Sequence, residues 1–289
     1  MPRITSYSKI YEKRGKLNTK ELKKQPIDKS IEKIVDNMTL FDDDLMSIVF
    51  DSNIPATELI LKIILQRDDI EVVSVVGQNE LKNPVVGGRN IRLDVLAKDK
   101  QGKCFNVEVQ RKNSGADERR ARFHSSMIDS RMLRKKDDFK SLLDSYVIMI
   151  TQNDYFGNGL PMYTVNRHIE ELDTRFEDGS HIVYVNGNYR GDDPIGKLMF
   201  DFSCKKAKDM YHKELADSIK HFKEKGGRKV VCEAVEKYAK KRAIEAAIEA
   251  GVSYGAEKEI ILQKVNEKYG ITKEEAEKLY DNYAMTAIQ

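Results

Sequence analysis

Two acidic residues sit where strands, not loops, are expected. In Lys103 to Arg111, Phe105, Val107 and Val109 alternate with Asn106, Glu108 and Gln110; in Asn90 to Lys98, Leu93, Val95 and Ala97 alternate with Arg92, Asp94 and Leu96. This period-two pattern places Asp94 and Glu108 each inside a strand otherwise built for burial. Aspartate is a poor strand former, and a carboxylate buried without a partner is costly. Two of them close together also repel unless a cation lies between. A hard divalent ion, Mg2+ or Mn2+, coordinated by Asp94 and Glu108 resolves both problems. A pair of solvated edge-strand acids without a role is the alternative that chemistry alone leaves open.

Further candidates surround this pair. Glu58 is the only acid between Asn53 and Gln66, in a segment of Leu and Ile. It is either a first-turn residue favoured by the helix dipole or a third carboxylate for the metal. Gln110 follows Glu108 on the same strand face, and its amide can orient a water but adds no positive charge. Lys112 shares that face if the strand runs so far, and is one candidate to place a cation beside the two acids. On a helix over 117–133, Arg120 falls within the apolar arc of Ala121, Phe123, His124, Met127 and Ile128, whereas Arg122 lies on the polar side. A core-facing arginine needs a carboxylate or phosphate partner, so Arg120, with Arg122 beside it, is a candidate for contact with a phosphate, with a structural ion pair as the competing role.

The elements that must hold these residues follow from patterning. Residues 53–66 read as a buried helix, with Asn53 among its possible caps and Pro55 in its first turn. A strand is expected at 70–76. Strands at 90–98 and 103–111 are joined through Asp99 to Gly102, short enough for an antiparallel hairpin. The helix 117–133 is followed by a buried strand at 144–151, another at 181–185, and helices at 194–203 and 205–225. After Gly226-Gly227 the chain holds only helical patterns, with Thr272 and Glu275 forming a capping box. The expected organisation is a leader over 1–40, basic then acidic and partly disordered, an α/β domain with a mixed sheet over 41–225, and a helical tail over 226–289.

Composition narrows the chemistry. Cys104, Cys204 and Cys232 stand far apart, and the five histidines form no HxxxH or HNH-like pattern, so zinc hydrolases and histidine-based nucleases fit poorly. No run of ~18 apolar residues is present and the N-terminus carries no apolar secretory core, which leads to the expectation of a soluble cytoplasmic protein without membrane partners. The net charge of +3 is small but uneven: residues 1–25 carry eight Lys or Arg against Glu12 and Glu21, and the run Asp42, Asp43, Asp44 closes an acidic stretch. The basic arm could track phosphates or simply be a solvated leader.

An acid on a buried helix, an aspartate on one strand and Glu-x-Lys on the next is the layout of PD-(D/E)XK nucleases. Glu58, LDV at 93–95 and VEVQ at 107–110 resemble it. The blocks VFDSNIPATELILKIIL, NPVVGGRNIRLDVLAKDKQGKCFNVEVQR, RARFHSSMIDSRML and IVYVNGNYRGDDPIGKLMFDF resemble in particular the Rpn group of recombination-promoting nucleases and transposases, over roughly residues 40–225. The resemblance implies a restriction-endonuclease-like core and Mg2+- or Mn2+-dependent cleavage of DNA with little sequence preference, linked to recombination or transposition. Asp94 and Glu108, with Glu58, would be metal ligands. Gln110 stands where the wider superfamily has lysine. The competing readings are a decayed nuclease that binds DNA or oligomerises, and an RNA nuclease; a homodimer would suit paired cuts on two strands.

Overall fold

The structure is a computed structural model that describes residues 29–224 and 226–287. Valine-rich runs too apolar for solvent pair into a six-stranded mixed sheet of order β1-β2-β3-β4-β8-β5. The strands are β1 (Val72–Leu81), β2 (Ile91–Asp99), β3 (Cys104–Gln110), β4 (Ser145–Thr151), β5 (Met162–Val165) and β8 (Ser180–Asn186). Two short strands, β6 (His168–Ile169) and β7 (Thr174–Arg175), form a separate ribbon. The β2–β3 turn closes because the Asp99 carboxylate accepts the amides of Gln101 and Lys103, both at 2.9 Å, and Gly102 supplies a φ of +86°. From β3 the chain crosses through a helix to β4, and the β3–β4 and β4–β8 pairings are parallel, as a helical crossover dictates.

That crossover helix, α4 (Glu118–Asp129), covers one face of the sheet. Ala121, Met127 and Ile128 pack there with Cys104, Val147, Met149 and Tyr184. Helices α2 (Asp43–Phe50), α3 (Ile54–Leu65), α5 (Pro194–Ser203) and α6 (Lys213–Ile219) gather beside β1. Phe202 anchors them, its ring 5.7 Å from Phe41 and 6.3 Å from Phe50. Helix α3 begins as its sequence implies: Asn53 Oδ1 accepts the Ala56 amide at 3.2 Å and Pro55 sits in the first turn.

Asp36–Gly227 form one compact unit. Residues 29–35 and the segment from Arg228 form a second, with helices α7 (Arg228–Ser253), α8 (Lys258–Tyr269) and α9 (Lys273–Ala287). In the second unit Ile244, Ile248, Ile261, Leu262 and Val265 pack together, and the Thr272–Glu275 capping box is made, at 3.0 and 3.1 Å.

Three local expectations need correction. Helix α1 (Lys29–Asn37) lies inside the stretch expected to be a leader, and Ile31 and Val35, one turn apart, bury one side of it. The basic residues of 1–25 lie outside the described residues. The helix expected over 205–225 is interrupted: only Lys213–Ile219 is α-helical, followed by a π turn over Lys220–Glu224. The Asp201 carboxylate draws the amides of Tyr211 and His212, at 2.7 and 2.9 Å, so the chain before α6 wraps that side chain instead. Helix α4 also stops at Asp129, not 133, where Ser130 Oγ and Arg131 bond the Met127 carbonyl.

Candidate active site

The β2–β3 ladder runs from the Lys98–Cys104 pair to the Val95–Val107 pair and stops. One step further, Asp94 and Glu108 stand level, and their carboxylates take over the pairing. Glu108 Oε1 accepts the Asp94 amide and Asp94 Oδ2 accepts the Val109 amide, both at 3.1 Å. Each acid thereby satisfies a backbone donor of the opposite strand where the strands part. Glu108 is fully buried in a lateral row with Met149 and Tyr184, whereas Asp94 is half-buried. Among the described residues, Asp94 Oδ1 accepts no hydrogen bond.

Helix α4 lies over Glu108 because its start is tied down. Asp117 caps it, accepting the Arg119 and Arg120 amides, and Tyr184 donates its hydroxyl to the Ala116 carbonyl at 2.9 Å. Arg120 and His124, one turn apart, share the face turned to the sheet. Arg120 Nη2 donates to Glu108 Oε2 at 3.0 Å, the carboxylate partner that its place in the apolar arc demands. His124 Nδ1 stands 3.6 Å from Glu108 Oε1 and 3.3 Å from Asn106 Nδ2. Asn106 Oδ1 is the buried side-chain atom left without a partner among the described residues. Asn106 and His124 were given no role from the sequence; their signal was the period-two step from Glu108 and the one-turn step from Arg120.

The other candidates separate. Gln110 follows Glu108 on the same face at the end of β3; its side chain makes no hydrogen bond among the described residues, and Gly115 leaves the room it needs, since a Cβ there would lie 1.9 Å from Oε1. Lys112 is off the strand, which ends at Gln110, and is exposed before a 3-10 turn. Arg122 is exposed on the solvent side of α4. Glu58 is not brought to the pair. Its oxygens accept Lys62 Nζ at 2.7 Å and the Val72 amide at 2.9 Å. Val72 pairs with Asp99, at the opposite end of β2 from Asp94. The bond from Lys62, then the one from Val72, holds the Glu58 carboxyl below its ordinary range. Arg167 and His168 are occupied locally, by Asp178 and Asp173.

An acid to which the sequence reading gave no role lies nearer in electrostatic terms. Asp43, at the start of α2, feels Glu108, and Asp94 feels Asp43. Burial first, then the charge of Asp42, pushes the Asp43 carboxyl upward, while Arg111 and Arg92 pull it down. For Asp44 burial and the charges of Asp43 and Asp42 push it up to about 6. The run Asp42–Asp44 is legible in sequence, but a helix N-terminus explains such a run without further function.

Asp94 carries the site's electrostatic signature. Burial, then the adjacent Glu108 charge, pushes its carboxyl far above the usual aspartate range, against the Val109 amide and Arg120. Without a cation, Asp94 thus keeps its proton well above the range in which aspartate is ordinarily ionised. Among the described residues no three His, Cys, Asp or Glu converge to enclose a metal ion. Two carboxylates, with one oxygen of Asp94 free, instead suit a cation such as Mg2+ that keeps much of its water shell and takes other ligands from a phosphate.

The mixed six-stranded sheet, its flanking helices and the acids on adjacent strands define a PD-(D/E)XK nuclease-like fold. Residues 53–189 match the family model described as PD-(D/E)XK nuclease family transposase, a span that runs from α3 past β8 and includes Glu58, Asp94, Glu108, Gln110 and Arg120. No curated protein matches the chain. No solved structure matches it either. Among the described residues no helix is long and apolar enough to cross a membrane.

Proposed function

We propose that the chain is a divalent-metal-dependent DNA endonuclease with little sequence preference, acting in recombination or transposition. The observation that carries this reading is the facing pair Asp94–Glu108, bonded across the strands where their ladder ends and overlaid by Arg120. Asp94 and Glu108 would hold Mg2+ or Mn2+, which when bound supplies positive charge against the developing negative charge on phosphorus and makes water more acidic. Arg120 shares its charge with Glu108 and ends at the cleft, half-exposed, so its guanidinium can bind the scissile phosphate and hold it against the pair. The Gln110 amide, free of other bonds, can orient the attacking water. Glu108 stays fixed beneath Arg120 and His124, and its bond to the Asp94 amide keeps the two acids in register. Glu58 serves the fold by tying α3 to β1.

Supercoiled plasmid incubated with Mg2+ or Mn2+ should be nicked by the native chain. Asp94→Ala and Glu108→Ala should each lower the rate about a thousandfold, equivalent to ~4 kcal/mol of transition-state stabilisation. Equal rates in all three proteins would remove this centre from the reaction. Metal binding without cleavage of DNA, but with cleavage of RNA, would replace the substrate and keep the centre.

A further inference from the structure

The hairpin that carries Asp94 continues past the sheet. Strand β3 leaves β2 after Val95, so Ile91–Asp94 is paired only with β1, and the two strands run on as a free ribbon to the Leu81–Ile91 pair. The base of this ribbon is anchored on α4. Leu81, Ile91 and Leu93 are buried with Met127 and Ile128, and Arg131 donates to the Lys82 carbonyl. Asn83 orders the turn, its Oδ1 accepting the Val85 amide at 2.9 Å and its own amide donating to Asn90 Oδ1 at 2.8 Å. Gly87, at φ +78°, lets the chain reverse.

What this braced turn presents is apolar. Val85 is 68 % exposed and Val86 101 %, at positions where turns ordinarily carry Gly, Asn, Asp or Ser. Fully exposing two β-branched side chains on an anchored turn forgoes the stabilisation that burial would give, and the fold offers them no cover. Their setting is cationic: Lys82 and Arg89 flank them, and Arg119 and Arg122 are exposed on α4, the helix on which the ribbon packs. Met127, which the ribbon touches through Asn83, lies about 10 Å along the helix axis from Arg120. A polyanion lying on these arginines with one phosphate at Arg120 would bring its bases to the valines.

We propose that the Val85–Val86 tip is an apolar wedge that presses into the base stack of duplex DNA, near the phosphate held at the Asp94–Glu108 pair. Apolar side chains inserted at base steps unstack them and bend the duplex, and flanking arginines and lysines compensate the phosphates. The surface therefore fits duplex DNA, with the arginines setting register and the valines sensing how readily a step opens. This rests on the nuclease reading for its position, not for its measurement.

The test uses the full chain in EDTA, where no cutting occurs, and a short duplex carrying 2-aminopurine. Native protein should raise the 2-aminopurine fluorescence at one or two steps as those bases unstack. A Val85→Ser/Val86→Ser variant, altered only at an exposed turn, should melt with the native chain, bind about tenfold more weakly and give no rise. Arg89→Ala should weaken binding in a salt-dependent way and keep the rise. Native protein that binds without a rise, or a serine variant that keeps both rise and affinity, overturns the wedge. So would valine-dependent self-association in sedimentation, or valine-dependent binding to vesicles in place of DNA, each of which would give the tip another occupant. Cleavage with metal but no rise sinks the wedge alone; a rise without cleavage under any metal sinks the nuclease and leaves the wedge standing. Failure to bind this duplex overturns the wedge, while nicking with metal decides the nuclease separately.

Discussion

Asp201 and Glu108 are both fully buried acids of the same compact unit, yet their surroundings differ in kind. Asp201 is met only by donors. The Tyr211 amide reaches one oxygen at 2.7 Å, and the His212 amide and ring nitrogen reach the other at 2.9 and 2.8 Å. Glu108 receives one backbone amide and one half-exposed arginine, and faces a second acid whose carboxyl is pushed upward in part by Glu108 itself. The first arrangement uses a carboxylate to fold a loop. The second sets two acids face to face and raises the pKa of one of them, which a fold has no reason to do unless something positive arrives.

The largest expected effect breaks the first half of that contrast. Asp201→Ala removes the acceptor shared by two amides and an imidazole, and should cost about 3 kcal/mol in urea unfolding. Asp94→Ala, measured beside it, should cost far less; equal losses would erase the distinction. A smaller effect, of opposite sign, concerns Asp94→Asn without divalent metal. A carboxyl whose pKa is raised in the folded state stabilises fully below its ordinary range and loses that contribution as pH rises through the folded value. The variant should therefore be more stable than the native chain by of order 1 kcal/mol at about pH 7, with the difference vanishing near pH 4 in thermal melts. A gain that persists unchanged into acid would mean that the burial and repulsion of an ionised Asp94 are not its source. The smallest effect sharpens the place of Glu58. Its lowered pKa makes a contribution present above the ordinary glutamate range and lost as pH falls through the folded value. Glu58→Gln should cost at most about 1 kcal/mol at neutral pH and leave plasmid nicking unchanged. A large loss of nicking with stability intact would return Glu58 to the reaction.

The sequence made the strand acids legible because alternation is local: Asp94 and Glu108 interrupt two short runs, and a hairpin turn fixes their register. The same locality explains the helix α4 and the pairing of Arg120 with an acid. Glu58 was another matter. An acid amid Leu and Ile looks displaced whether it serves a metal or braces a strand amide, and the choice depends on Val72 meeting it across fourteen residues. Asp43 failed for the converse reason, since an acid run before a helix already has an explanation in capping and dipole. The break before α6 was hidden because Asp201 acts on residues ten and eleven positions away, beyond the reach of helical periodicity. His124 read as part of an apolar stripe, and only the sheet beneath it shows that the stripe ends on Glu108.

One small vacancy has an evolutionary consequence. Gly115 is the space that the end of the Gln110 side chain fills, and an alanine there would put its methyl carbon 1.9 Å from Oε1. Because the displaced atom is the tip of a flexible chain, the fold could absorb that change while the amide swung out of the cleft. Drift at position 115 would thus silence position 110 without leaving a trace in stability. The two sites are bound to change together, and a lineage that lost the glycine would have to find a new residue at 110 before selection could see that site again.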